Sequence, residues 1–354
     1  MVNLDMNSIK ISNKHVGGNN PTFIIAEAGV NHNGKISLAK KLVDVAVNAG
    51  ADAVKFQTFK SEGVVSAGVD SANYANKNIG KNVKQLDMIK SLELSYKDFE
   101  KLKSYCDKKK IIFLSTPHSF DAIDFLDDLV PAYKFGSGDI TNIPALKHAA
   151  KKGKPMILGT GMSTLDEVKY AIKTIKSVGN NKVIALHCTT NYPCPINEVN
   201  LNAMLTMKKE LDCLVGYSDH TLGILIPIIA ATLGAVVIEK HFTIDKTLKG
   251  PDHKASLESD ELKQMIYQIK NLEKVMGDYN KKPTESEKKM MKYVRKSIIS
   301  KKDIKKNSII KHDDLIIKRP GTGINPKYYE EIIWKKALKN IKKDTILSLE
   351  MLGD

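Results

Sequence analysis

Two histidines, His220 and His241, close two consecutive apolar runs, LVGYSDH and VVIEKH. If those runs are neighbouring strands, the imidazoles meet at one end and can share an ion. Two nitrogens leave room for carboxylate, water and substrate oxygen. That open shell suits Mn2+, Mg2+ or Co2+ better than structural zinc, which takes four closed ligands. Lys55 and Lys134 lie inside other apolar runs, where an ammonium is costly unless it meets an anion. The hydroxyls of Ser115, Thr116, Ser137 and Thr160, with the backbone N–H groups of Gly136-Ser137-Gly138, could join the two lysines around a phosphate and a carboxylate. The other reading of Lys55 is a structural ion pair with Glu27 or Glu239.

These residues need a scaffold that gathers them. Eight short runs rich in Val, Ile and Phe read as buried parallel strands: Phe23 to Glu27, Ala53 to Gln57, Ile111 to Ser115, Tyr133 to Gly136, Met156 to Thr160, Val183 to Cys188, Leu214 to Tyr217 and Ala235 to His241. Amphipathic stretches alternate with them, such as Leu38 to Ala49, Tyr96 to Lys108 and Asp166 to Val178. Strand–helix units in that number predict an α/β fold, a (β/α)8 TIM barrel over residues 1–275. A doubly wound sheet competes, but no GxGxxG follows the first strand. In a barrel, catalytic groups sit at the C-terminal strand ends. Every run ends there in polar residues: Glu27, Asn31 and His32; Lys55 and Gln57; Ser115 and Thr116; Lys134 and Ser137; Thr160; His187 and Thr189 to Tyr192; Ser218, Asp219 and His220; Glu239 and His241.

Residues 1–22 form an N-terminal extension that either pairs as a hairpin or covers the barrel bottom. A helix from Ser259 to Met276 leads into a polar stretch, 276–293, read as a linker. Residues 294–354 read as a small β-rich module, with strand-like pieces at Ser297 to Ser300, Leu315 to Lys318 and Thr345 to Leu347.

The chain has 354 residues and a net charge of +15, carried mostly by dispersed lysines with few aromatics between them. That pattern reads as a solvated surface that draws in anionic substrates, not as a nucleic-acid interface. Four cysteines without a CxxC pair argue against a disulfide framework or zinc finger. No apolar run reaches the roughly 18 residues of a membrane span, and the N-terminus lacks a signal-peptide core. A cytoplasmic protein without membrane attachment is expected.

EAGVNHNG (27–34), KFQTF (55–59), STP (115–117), KFGSGD (134–139), LHCTTNYP (186–193), GYSDHT (216–221), EKHFT (239–243) and GPDHKASL (250–257) resemble the bacterial sialic-acid synthase family. The tail, from VRKS (294–297) through GTGI (321–324), looks like the small antifreeze-like (SAF) domain of those enzymes. The resemblance runs from about Phe23 to the C-terminus. It implies condensation of phosphoenolpyruvate with an N-acetylated hexosamine to a nine-carbon 2-keto acid. It also implies a metal, usually Mn2+, on His220 and His241, and Glu27 as the catalytic carboxylate. Lys55, Thr116, Lys134 and Ser137 would hold phosphoenolpyruvate, with Thr160, Thr190 and Ser218 nearby. Gln57, Asp139, Tyr192 and Asp252 would face the sugar, and Arg295 would reach its acetamido group across a domain-swapped homodimer. Three positions depart from the pattern of some members: Gly159 replaces a serine, Asp139 a glutamate and Thr190 an asparagine. The expected product is N-acetylneuraminate from N-acetylmannosamine. The alternative is N,N'-diacetyllegionaminate from 2,4-diacetamido-2,4,6-trideoxymannose, with pseudaminate further off. A metal-dependent barrel hydrolase would leave Lys55 and Lys134 without an anion.

Overall fold

The computed structural model describes residues 8–66, 68–71, 76, 78 and 84–353. The first seven residues of the expected extension and the last residue of the expected C-terminal module lie outside them. The structure divides into two compact units, Met1–Gly277 and Asp278–Asp354.

The first unit opens with a hairpin, β1 (Ile9–Ile11) and β2 (Lys14–Val16). Eight parallel strands follow: β3 (Phe23–Gly29), β4 (Ala53–Thr58), β5 (Ile112–Pro117), β6 (Tyr133–Phe135), β7 (Met156–Gly159), β8 (Val183–His187), β9 (Leu214–Asp219) and β10 (Val237–His241). Their order is β5-β4-β3-β10-β9-β8-β7-β6, and β5 lies beside β6. Pairing of β3 with β10 joins the first strand to the last, which gives the (β/α)8 arrangement.

Helices follow the strands: α1 (Ile36–Ala49), α2 (Gln85–Lys90), α3 (Tyr96–Lys109), α4 (Phe120–Leu126), α5 (Ile143–Ala150), α6 (Leu165–Lys176), α7 (Leu201–Glu210), α8 (Leu225–Thr232) and α9 (Ser259–Met276). Their starts are set locally. Ser95 caps α3 through Asp98 N–H, and Thr164 with Glu167 makes a capping box on α6.

Strand alternation sorts the side chains. Ile24, Ala26, Val54, Phe56, Phe113, Tyr133, Phe135, Leu158, Ala185 and Ile238 pack outward in the core under the helices. Phe23, Ile25, Ala53, Leu114, Ile157, Ile184, Leu186 and Val237 share a second core inside the ring. Ile9, Ile11 and Val16 of the hairpin belong to that inner core. The extension therefore does both things left open: it pairs as a hairpin and seals one end of the barrel. Burying each of its aliphatic side chains contributes about 1.5–3 kcal/mol. The inner positions nearer the other end are the polar ones.

In the second unit, the stretch 276–293 is not plain linker: it holds most of the helix α10 (Glu285–Val294). Thr284 and Glu287 cap it reciprocally, a signal hidden within a polar run. Beyond it, β11 (Ser297–Ser300) pairs antiparallel with β12 (Leu315–Lys318), around a core of Ile298, Ile310, Ile332 and Leu347. The expected strand at Thr345 to Leu347 is reduced to a single bridge between Ile346 and Ile299.

Candidate active site

A cavity of about 270 Å3 opens at the C-terminal ends of the barrel strands. Glu27, Lys55, Gln57, Thr116, Lys134, Ser137, Thr190, Tyr192, Ser218, His220, His241 and Asp252 all line it. Its centre is a chain of buried charges. Lys55 Nζ lies 2.8 Å from Glu27 Oε2 and 3.7 Å from Glu239 Oε2, and donates to Thr116 Oγ1 at 3.0 Å. Lys134 Nζ lies 3.3 Å from Glu239 Oε1, which also accepts from Ser218 at 3.0 Å. Gln57 Nε2 donates to the other oxygen of Glu27 at 3.3 Å. The structure shows the ion-pair reading of Lys55, with both Glu27 and Glu239, and both carboxylates face the cavity.

Burial acts on these charges unequally. It pushes Glu27 up to about 7, against the pull of Lys55. Burial would raise Glu239 too, but Lys134 and Lys55 together hold it below the ordinary carboxylate range. Burial works against the Lys55 ammonium, yet Glu239 and Glu27 raise its pKa. Glu27 is thus the carboxylate poised to exchange a proton near neutrality.

The imidazoles stand beside this cluster. The His220 and His241 ring centroids are 5.6 Å apart, and Tyr192 lies 4.2 Å from the first and 5.6 Å from the second. His220 Nδ1 is 2.6 Å from the Thr189 carbonyl. A carbonyl only accepts, so the proton is on Nδ1 and Nε2 keeps its lone pair. His241 Nδ1 is buried without a hydrogen-bond partner, with Asp252 Oδ2 4.0 Å away. Burial lowers the pKa of both rings, that of His241 far below the usual value, and burial raises Asp252 to about 6. Neutral imidazoles with an orphaned nitrogen fit an open divalent site. Among the described residues no three His, Cys, Asp or Glu side chains gather into a ready-made cage.

Three candidates fall elsewhere. Thr160 follows Ile157 (in), Leu158 (out) and Gly159 (in), so alternation turns it outward, where it donates to the Leu186 carbonyl at 2.9 Å. Asp139 does not line the cavity; its backbone N–H bonds to the Gly136 carbonyl within its own loop. Arg295 belongs to the second unit, where it is exposed at the end of α10. Two rim residues are also turned away: Ser115 shares a 2.7 Å hydrogen bond with Thr58, and His187 bonds to the Val199 carbonyl. Their positions on the strands give them outward parity.

The motifs outside the cavity brace it. Asn31 donates to the Phe242 carbonyl and to Ser256, and His253 bonds Thr243 and Asn33. The loops after β3 and β10 are thereby tied together. Gly29, at φ +51°, sits where a Cβ would lie 3.3 Å from Glu27 Oε1 and 3.4 Å from Gln57 Nε2 and His241 Cε1. A Cβ on Gly161 would come within 2.9 Å of Ser137 Oγ and closer still to Thr190 Oγ1. Glu239, expected at the rim and as a partner of Lys55 but given no role of its own, lines the cavity at the centre of the charged cluster. Two lining residues escaped sequence reasoning: His118, held near 4 by burial and by Lys55 and Lys134, and Cys188, whose thiol lies 3.2 Å from Ser137 Oγ. His118 had a signal, since it follows STP at a strand end.

The NeuB family model matches residues 42–281, and the SAF domain model matches residues 295–353. An N,N'-diacetyllegionaminic acid synthase of Campylobacter jejuni is 48% identical over 92% of this chain and 98% of its own. One of Legionella pneumophila is 45% identical over 96% of this chain and 98% of its own. Among solved structures, an N-acetylneuraminic acid (sialic acid) synthetase from Leptospira borgpetersenii, crystallised with citrate, is 36% identical. It superposes with a TM-score of 0.71 over 80% of this chain and 95% of that one.

Proposed function

The chain belongs to the NeuB family and carries a C-terminal SAF domain, and from that membership we propose that it condenses phosphoenolpyruvate with an N-acetylated hexosamine. The products are a nine-carbon 2-keto acid and phosphate. The observation that carries this reading is the Glu27–Lys55–Glu239–Lys134 cluster, which shares one cavity with two neutral histidines. The lysines suit an anionic substrate, and the imidazoles suit a divalent ion beside it.

Lys55, Lys134, Thr116, Ser137 and Ser218 hold the phosphate and carboxylate of phosphoenolpyruvate, with Thr190 nearby. Gln57, Tyr192 and Asp252 face the sugar. His220 and His241 would hold the metal, Mn2+ in the first instance, which supplies Lewis-acid polarisation of the sugar's aldehyde. C3 of phosphoenolpyruvate bonds to the aldehyde carbon, and the aldehyde oxygen gains a proton. Water adds to the cationic C2 and gives up a proton. The C2–O bond to phosphate then breaks as the C2 hydroxyl gives its proton to the departing phosphate, leaving the ketone. Glu27 takes the proton of water. An incoming anion competes for Lys55 and so weakens the counter-charge that keeps Glu27 ionised. That makes Glu27 a stronger proton acceptor at the moment it is needed.

The legionaminate synthases among the relatives favour 2,4-diacetamido-2,4,6-trideoxymannose as the sugar, and the Leptospira enzyme keeps N-acetylmannosamine as the second reading. A homodimer in which the partner's small domain brings an arginine, Arg295, to the sugar completes the proposal. The proposed compartment is the cytoplasm; among the described residues no helix is long and apolar enough to cross a membrane. Phosphate release from phosphoenolpyruvate, assayed with each sugar, tests the reading. Release requires a sugar and a divalent ion, and release without either contradicts it.

A further inference from the structure

One side of the cavity has a different character from the rest. Val30, Phe59, Val64, Met88, Ile89 and Leu92 are among its lining residues, with no oxygen or nitrogen donor or acceptor in their side chains. Val30, Phe59 and Leu92 form a small apolar cluster separate from both barrel cores, and Met88 and Ile89 pack against it. The wall comes from the stretches after β3 and β4, including α2 and its flank. Glu27, Lys55 and Gln57 stand on β3 and β4 themselves, and His118 follows β5; the remaining polar lining groups come from other parts of the ring. Thr116, Lys134, Ser137, Thr190 and Ser218 stand on or after β5, β6, β8 and β9, and the histidines at the ends of β9 and β10.

We propose that this wall selects an aminosugar whose end remote from the aldehyde carries a methyl group in place of a hydroxymethyl. The inference rests on the synthase reading. With phosphate on the β5–β9 arc and the aldehyde beside the imidazoles, the rest of the sugar extends over the stretches after β10, β3 and β4. Asp252 and Gln57 lie along that course, and the apolar wall follows. A hydroxyl delivered to the wall loses its water without gaining a partner, whereas a methyl buries apolar surface. An apolar pocket rejects an added hydroxyl only moderately, by about 10- to 100-fold. The wall therefore sets a preference and not an absolute choice.

The test compares kcat/KM for 2,4-diacetamido-2,4,6-trideoxymannose and for its 6-hydroxy counterpart, each with phosphoenolpyruvate and Mn2+, on the full chain. The two sugars differ by one oxygen. The wild type prefers the deoxy sugar by about 10- to 100-fold. Val64→Thr, which puts a hydroxyl in place of a methyl at the same shape, and Met88→Gln, of equal length, each cut that ratio by about fivefold or more. A wild-type ratio of one or below overturns the wall's role, as does an undiminished ratio in both variants. Phosphate release with neither sugar overturns the synthase reading and the wall with it. That outcome differs from equal use of both sugars, which sinks the wall alone.

Discussion

Glu27 and Lys55 are register partners on neighbouring parallel strands, and their charges meet at 2.8 Å inside the barrel mouth. Glu27 keeps 1% of its surface exposed and Lys55 3%. A pair so buried is weak evidence for stability, because desolvation offsets most of the Coulombic gain. Its place in the cavity makes chemistry the better account.

Glu27→Gln removes the proton acceptor while keeping the side chain's shape and its reach to Gln57. Turnover falls by about 10²- to 10⁴-fold, with circular dichroism unchanged. Wild-type turnover in this variant removes Glu27 from the mechanism.

The pH profile follows from the same group. With the Glu27 carboxyl pushed up to about 7, kcat/KM of the free enzyme rises with pH through that region. The apparent pKa belongs to the coupled cluster as a whole. In Glu27→Gln the residual activity loses this limb. The sign for stability is opposite. The folded chain holds the Glu27 proton more tightly than the unfolded chain, whose value is near 4.5. This group's contribution to stability therefore falls as pH rises from about 4.5 toward 7. Melting temperatures of the two proteins across that window read the difference.

His220→Ala takes away a lone pair already oriented by the Thr189 carbonyl. Mn2+ affinity, read by calorimetry on the protein without substrates, drops at least tenfold, on the scale that metal sites show even for a lost supporting partner. Unchanged affinity places the metal elsewhere.

The outward turn of Thr160 separates two hydroxyls that look alike in sequence. Ser137→Ala raises the KM for phosphoenolpyruvate. Thr160→Val leaves that KM unaltered and costs about 1 kcal/mol of stability through its lost bond to Leu186. Equal effects on KM would restore Thr160 to the anion site.

The barrel was legible because buried parallel strands announce themselves as short apolar runs, and all eight lie within a few residues of their expected places. The charged centre was legible for the same reason: Lys55, Lys134 and Glu27 interrupt such runs. Side-chain parity was harder. Thr160, Ser115 and His187 sit at strand ends, but only the alternation counted from Ile157, Leu114 and Leu186 shows that they face away. The apolar wall left little signal. Its residues are scattered from Val30 to Leu92, in loops and a short helix, and only the folded chain brings them together. The helix Glu285–Val294 was hidden by its polarity, since its first five residues, ESEKK, are all polar and its apolar residues begin only at Met290.

The most direct measurement uses phosphoenolpyruvate carrying ¹⁸O in the C–O–P bridge, incubated with the protein, Mn2+ and the diacetamido sugar, and followed by mass spectrometry. The expected products are a nine-carbon 2-keto acid and inorganic phosphate that holds the label. Label retained in pyruvate or in the acid, or consumption of phosphoenolpyruvate without any new acid, contradicts the proposed reaction.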